Sequence, residues 1–148
     1  MSTPYQIVYD AFFSKIRDSF FLEIIEEEKD IELLSLLNQA IPEFKYPKVD
    51  LEDRNETSQQ FNETLTNAEV QIISEAMKLK WIEQKINDEE LIKMQFSDHD
   101  YSLMSQAAHL FRLITNQREI ELKLKKMQDR YSLVKDRKPD FSGLAGGG

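Results

Sequence analysis

The side chains best suited to metal binding or proton transfer are two histidines, His99 and His109. His99 lies between Asp98 and Asp100, and these three side chains could contribute to a metal site. A histidine between two aspartates is more often part of a solvated turn. His109 falls in a long helical pattern, where we expect a half-buried structural histidine. The two histidines therefore predict neither a metal site nor a catalytic group.

Motifs for nucleotide or covalent chemistry are missing from the sequence. There is no cysteine to act as a nucleophile or thiolate ligand. There is no G-x-x-x-x-G-K-[ST], G-x-G-x-x-G or H-E-x-x-H motif, and the four glycines all lie at or after position 143. A glycine-rich loop around a phosphate group is thus almost excluded. We expect a protein that is not an enzyme and that needs no cofactor.

Charge is unevenly distributed along the chain, whose net charge is −8. Residues 118–138 hold eight basic and four acidic side chains, whereas residues 1–117 hold 11 basic and 22 acidic ones. This polarity suits head-to-tail assembly, or non-specific contact with DNA inside a larger assembly. An intramolecular match or a merely solvated helix explains it as well. The predicted basic contact face comprises Arg118, Lys123, Lys126, Arg130, Lys135 and Arg137.

The scarcity of turn residues favours an all-α fold. With four glycines and four prolines in 148 residues, long helices with few connections are expected. We predict a helical bundle with one long C-terminal helix and a flexible extended tail. Helices are predicted over about 4–18, with Thr3 as the N-cap, and from Glu26 to about 42–44. A third runs from a capping box at 66–69 to Asn87, and a short helix follows from Asp88.

The domain is predicted to span 1–136, with an irregular loop at about 45–65 pinned by Leu51, Phe61 and Leu65. The final helix, from about 102 to 136, contains no glycine or proline. Its early part is predicted to bury Leu103, Ala107, Leu110, Phe111 and Ile114. A narrower stripe with heptad spacing follows, and we expect it to contact a neighbouring copy or another protein. This inter-subunit stripe comprises Leu113, Ile120, Leu124, Met127, Tyr131 and Val134.

Residues 137–148 predict a flexible tail, because they contain all the glycines and few apolar side chains. Phe141 and Leu144 are its large apolar residues and could anchor it in a groove or on a sheet edge. The alternative is an unstructured end, or residues left from an expression vector. The predicted docking residues are Pro139, Phe141, Gly143, Leu144 and Gly146.

The order of these patterns is similar to that of a known family. The stretches TPYQIVYDAFFSKIRD, LLSLLNQAIPEFKYPKVDLEDR, FNETLTNAEVQIISEAMKLKWI and FSDHDYSLMS resemble the small helical head–tail connector proteins of tailed phages of Gram-positive hosts. The resemblance covers about residues 5–130 and is carried by the spacing of apolar and capping residues. No catalytic motif contributes to it.

The resemblance implies a structural virion protein. Such adaptor (neck) proteins assemble as a ring, usually dodecameric, beneath the portal protein after DNA packaging, and they connect capsid and tail. On this chain residues 137–148 would dock on the portal, and the 45–65 loop would bind the next neck or tail-completion protein. The protein would be made in the host cytoplasm and located at the head–tail interface of the virion. The sequence shows no signal peptide and no membrane span.

Two other functions remain open on the sequence alone. One is a different virion component, such as a tail-completion or baseplate protein. The other is a small phage regulatory protein that binds a host factor through its acidic surface.

Overall fold

The computed structural model describes residues 2–16, 26–95 and 100–134. Four helices make up most of these residues: α1 (Tyr5–Lys15), α2 (Glu26–Ala40), α3 (Asn67–Gln95) and α4 (Asp100–Leu133). A 3-10 turn, Ile41–Glu43, follows α2 directly. It contains Pro42, near which the helix was expected to end. The prediction of a mainly helical fold is confirmed.

Helix α3 is the centre of the fold, and α1, α2 and α4 all pack against it. The predicted capping box begins it: the Thr66 amide donates to Glu69 Oε1 at 2.8 Å, and the Glu69 amide donates to Thr66 Oγ1 at 3.2 Å. Ile73, Ala76 and Met77 are completely buried. A helix with partners on three sides needs apolar residues over a wide arc, which is the pattern that the sequence shows.

The predicted break at Asn87 is wrong, because α3 continues to Gln95. Asparagine and aspartate are poor helix formers, yet each costs only about 0.7 kcal/mol in a helix interior. Asn87 and Asp88 are exposed, so neither side chain has to be desolvated. Neither glycine nor proline is present to force an end.

A small sheet departs from the all-α prediction. Strands β1 (Thr3–Pro4), β2 (Arg54–Asn55) and β3 (Gln60–Phe61) form an antiparallel sheet in the order β1–β3–β2. The prediction that Thr3 caps α1 is wrong. The Thr3 hydroxyl instead donates to the Glu63 carbonyl at 3.0 Å and accepts from the Leu65 amide at 2.9 Å. These bonds fasten the start of the chain to the 60–65 segment.

The loop at 45–65 is held to the body as predicted. Leu51, Phe61 and Leu65 are buried, and the Phe61 ring packs edge-to-face on Tyr5 with centroids 5.1 Å apart. A turn within the 45–65 loop places Gln59 at φ 52°, a left-handed conformation that glycine adopts more easily. The docking role of the loop stays a prediction.

Several predicted features lie outside the described residues. These are His99 in its turn and the whole of the tail at 137–148. The predicted end of the first helix at about residue 18 is wrong, because α1 ends at Lys15 and Ile16 is already extended. Among the residues that the structure does describe, no helix has a segment long and apolar enough to span a bilayer.

Candidate interaction surfaces on the C-terminal helix

The inner face of α4 packs on α3. Contacts between Glu69 and Tyr131 and between Glu75 and Lys123 show that the two helices are antiparallel. Four members of the predicted inter-subunit stripe are buried here, because α3 and residues 44–49 cover them within one chain. Those four are Leu113, Ile120, Leu124 and Tyr131. Met127 is half-buried and Val134 is exposed. The buried four therefore offer almost no surface to a second copy, and an inter-subunit role for the stripe stays a prediction.

The last turns of α4 are held by a C-terminal clasp, which we define as residues 43–48 together with 128–134. The Gln128 side chain accepts from the Lys45 amide at 2.9 Å and donates to the Glu43 carbonyl at 3.1 Å. The Phe44 ring packs edge-to-face on Tyr131, with centroids 5.1 Å apart. The Gln128 side chain thus satisfies one backbone donor and one backbone acceptor of the 43–45 segment, and so it aligns this segment with the helix.

Lys48 closes the clasp at the helix end. Its backbone amide donates to the Tyr131 hydroxyl at 2.9 Å, and its ammonium donates to the Tyr131 carbonyl at 2.9 Å and to the Val134 carbonyl. The ammonium also lies 4.8 Å from the centre of the Tyr131 ring. The last carbonyls of a helix lack intrahelical partners and carry partial negative charge, so a lysine from elsewhere in the chain can cap them.

The clasp is joined to the start of α3 through a buried hydrogen bond. Tyr131 Oη donates to Glu69 Oε2 at 2.6 Å, and Glu69 is completely buried. The other carboxylate oxygen of Glu69 belongs to the capping box. One side chain thus links the first turn of α3 to the last turn of α4. These hydrogen bonds hold two separate parts of the fold together.

The outer face of α4 carries a row of exposed apolar side chains. Phe111, Leu122 and Leu133 are 69%, 56% and 80% exposed. They are 11 residues apart, which is three helical turns, so they lie in line on one face about 33 Å long. We call them the outer stripe. The prediction that Phe111 is buried is wrong, because the stripe is on the side of α4 opposite Leu113 and Leu124.

Basic residues accompany the outer stripe. Arg118 comes seven residues after Phe111, and Lys126 comes four after Leu122, so both lie on the same side of the helix. Both are exposed, as is Arg130. Lys123 is exposed but lies towards α3, where its ammonium is 3.6 Å from Glu75. Of the predicted basic contact face, Lys135 and Arg137 fall outside the described residues.

A groove of about 740 Å³ lies between residues 43–46 and α4, with α3 at its base. We call it the C-terminal groove. Its floor is formed by the buried side chains of Phe44, Leu79 and Leu124. Tyr46 is on its edge and is 80% exposed. Its charged lining residues are Glu43, Lys45, Glu83, Glu121, Lys125 and Asp129.

Lys80 neutralises two of the acids beside this groove. Its ammonium is 2.9 Å from Glu43 and 3.4 Å from Glu83. Burial acts to lower the pKa of Lys80, but the hydrogen bond to Glu43 and the nearby carboxylates outweigh it, so that the pKa lies above its usual value. Lys80 therefore keeps its charge. The charged lining residues that Lys80 does not contact are the acids Glu121 and Asp129 and the bases Lys45 and Lys125.

A buried carboxylate connects three helices on another side of α3. Glu75 is completely buried, and its Oε2 lies 3.2 Å from Lys15 on α1 and 3.6 Å from Lys123 on α4. The Lys15 side chain is mostly buried, whereas that of Lys123 is mostly exposed. The Lys15 pair is consequently the stronger of the two, and it is a structural contact.

The expectation that His109 is half-buried is wrong, because its side chain is exposed. Within residues 2–16, 26–95 and 100–134, no group of three or more acidic or histidine side chains is placed to hold a metal ion.

The outer stripe could have been found from the sequence, since its 11-residue spacing is visible there. The groove and the clasp could not have been found in this way.

Comparison with known proteins adds no family: no protein-family model, curated protein or solved structure matches this chain.

Proposed function

We propose that this protein is a structural subunit of a phage neck, a head–tail connector that forms a ring beneath the portal and links the capsid to the tail. The observation that carries the proposal is the outer stripe of α4. Three large apolar side chains are exposed along one side of this helix, about 17 Å apart, and we take them as the anchor points of a contact with another protein. The resemblance of the sequence to adaptor proteins supports the choice of assembly.

The occupant of the outer stripe is a second copy of the same chain. The stripe is accompanied by Arg118 and Lys126, whereas residues 1–117 carry a large excess of acid. On α2, Ile31 is 69% exposed and lies next to the exposed Asp30. A basic apolar face and an acidic apolar face on different parts of one chain favour a head-to-tail contact. Repeated contacts of this kind close into a ring when the rotation between copies allows it.

The tail is the proposed contact with the portal. Residues 137–148 follow the C-terminal clasp, and Lys48 holds the main chain at Val134, so the tail leaves the body from a defined place. Pro139, Phe141 and Leu144 would bind the portal, with Gly143 and Gly146 allowing close approach of the backbone. The loop at 45–65 would bind the next neck protein, and the basic residues of α4 would make non-specific contacts with packaged DNA.

Counting copies in purified virus particles tests this proposal. Quantitative mass spectrometry should give about one copy of this chain for each portal subunit, as expected for two stacked rings of the same symmetry. Absence from the particles would overturn the proposal and favour the regulatory function. Presence in a few copies only, or in large excess over the portal, would also overturn it and favour another virion component.

A matched pair of variants tests the outer stripe in the same assay. Leu122→Asp places a carboxylate in the middle of the stripe, and we expect it to reduce the copies per particle severalfold. Asn67→Asp adds the same charge at an exposed position at the start of α3, outside both proposed contact faces, and should be incorporated normally. Equal incorporation of the two variants would exclude the stripe as the contact between copies.

A further inference from the structure

The C-terminal groove has the chemistry of a peptide-binding site. An apolar floor lies beneath an exposed aromatic ring, and exposed carboxylates stand beside it. Lys80 pairs with Glu43 and Glu83, so the acids that remain for a ligand are Glu121 and Asp129. The lining also contains the bases Lys45 and Lys125, and apolar contact with the floor is therefore the larger part of the expected binding. A segment with basic residues followed by large apolar side chains would satisfy both parts of the groove.

This chain contains such a segment directly after α4. The sequence from 135 to 148 reads KDRKPDFSGLAGGG. Lys135, Arg137 and Lys138 come first and outnumber Asp136 and Asp140, and Phe141 and Leu144 follow. The order is basic and then apolar, which matches carboxylates on the α4 side of the groove and an aromatic ring on its edge.

The position of the segment also fits. Tyr131 and Ser132 line the groove, and α4 ends at Leu133, so the next residues start at the mouth of the groove. Along α4 the lining runs from Glu121 to Ser132, about 17 Å of helix. Residues 135–141 span up to about 23 Å when extended, so Phe141 can reach any part of it.

We propose that residues 135–148 fold back and occupy the C-terminal groove of their own chain, with Phe141 against Tyr46 and the basic residues against Glu121 and Asp129. Binding in the same chain is favoured over binding in a second copy because a short linker gives an effective concentration in the millimolar range. If the proposed neck function also holds, the portal must compete for Phe141 and Leu144 with this groove, so the tail is retained until the portal is present.

Cysteine cross-linking tests the proposal directly, since the natural chain has no cysteine. The full-length double variant Lys45→Cys with Ser142→Cys keeps Tyr46 and Phe141 and should oxidise quickly to an intramolecular disulfide, seen as a monomer by non-reducing electrophoresis and intact mass. The control pair is Asp50→Cys with Ser142→Cys, because Asp50 is exposed and near Lys48 in the chain but is outside the groove lining. We expect it to form the intramolecular disulfide far more slowly.

The possible results are separable. Faster intramolecular closure of the 45–142 pair supports the proposal. Equal rates for both pairs would mean an unbound tail, and disulfide-linked dimers as the main product would mean that the groove takes the tail of a second copy; either result overturns it. These measurements use the isolated protein, so their failure leaves the copy number in virus particles, and hence the proposed function, untouched.

Charge reversal in the groove provides a second test. Adding Glu121→Lys and Asp129→Lys to the 45–142 pair should slow intramolecular closure about three- to tenfold, as expected for two exposed ion pairs. The matched control reverses two exposed acids elsewhere, Glu56→Lys and Glu63→Lys, and should close at the original rate. Thermal melts of the reduced proteins establish that both variants are folded. If the groove and control variants close equally fast, the basic part of the tail does not bind at Glu121 and Asp129, and the proposal fails.

Discussion

The Tyr131 hydroxyl is the atom on which the C-terminal clasp most depends, so Tyr131→Phe is the most informative substitution in the fold. The hydroxyl donates to Glu69 at 2.6 Å and accepts from the Lys48 amide at 2.9 Å. Phenylalanine fills the same space and keeps the contact with Phe44. The substitution therefore removes two hydrogen bonds and leaves the packing as it is.

The expected loss follows from these two contacts. A hydrogen bond to a charged group contributes about 1.5–3 kcal/mol, and one between neutral groups about 1 kcal/mol. Since Glu69 is completely buried, water does not replace the lost donor easily. We expect Tyr131→Phe to lower the free energy of unfolding by about 3 kcal/mol. In a chain of this size that corresponds to a decrease in Tm of about 6–12 °C.

Urea unfolding followed by the fluorescence of Trp81, the only tryptophan, measures this loss. The slope of the free energy of unfolding against urea concentration should be unchanged, because the surface exposed on unfolding is the same. Tyr46→Phe is the matched control: its ring is exposed, and its loss should stay below about 0.5 kcal/mol. Similar losses in the two variants would refute the assignment of the Tyr131 hydroxyl as the link between α3 and α4.

Three further substitutions test the contacts of two other buried polar groups, those of Glu75 and Tyr9. Glu75→Gln should destabilise the protein by about 3 kcal/mol because it leaves the mostly buried Lys15 without its anion; Lys123→Gln should cost less than about 1 kcal/mol. Urea melts that give equal losses would contradict this ranking. Tyr9→Phe should be neutral or slightly stabilising at pH 7, since within the described residues the Tyr9 hydroxyl has no hydrogen-bond partner. Burial, with smaller contributions from Tyr5 and Asp30, raises the pKa of Tyr9. The unfolded chain therefore ionises first above about pH 10, and the folded state loses about 1.4 kcal/mol per pH unit from this group. Unfolding measured between pH 9 and 11 should show a shallower loss in Tyr9→Phe, and parallel curves would contradict it.

The parts of the fold that could be predicted from the sequence are those set by local spacing. The capping box depends on two residues three positions apart, and the wide apolar arc of α3 is visible in a single turn-by-turn pattern. The end of α2 near Pro42 is also local. In each case the side chains that determine the structure are neighbours in the sequence.

The interaction surfaces could not be predicted because they depend on long-range packing. The clasp joins Lys48 to Tyr131, 83 residues apart, and no pattern near either residue indicates the other. On α4, two sets of apolar residues lie on opposite faces. The heptad stripe was expected to contact another subunit and Phe111 to be buried. Packing on α3 buries most of the heptad stripe, whereas Phe111 belongs to the exposed outer stripe.

The clasp also determines how the molecule responds to mechanical load. A pull on the chain beyond Val134 is applied first to the bonds that Lys48 makes at the end of α4, and through Tyr131 and Glu69 to the first turn of α3. These contacts share the tension, so the last turn of α4 is not peeled off one hydrogen bond at a time. A protein whose end is fastened to another particle can in this way transmit force to its central helix without unwinding the helix that bears the tail.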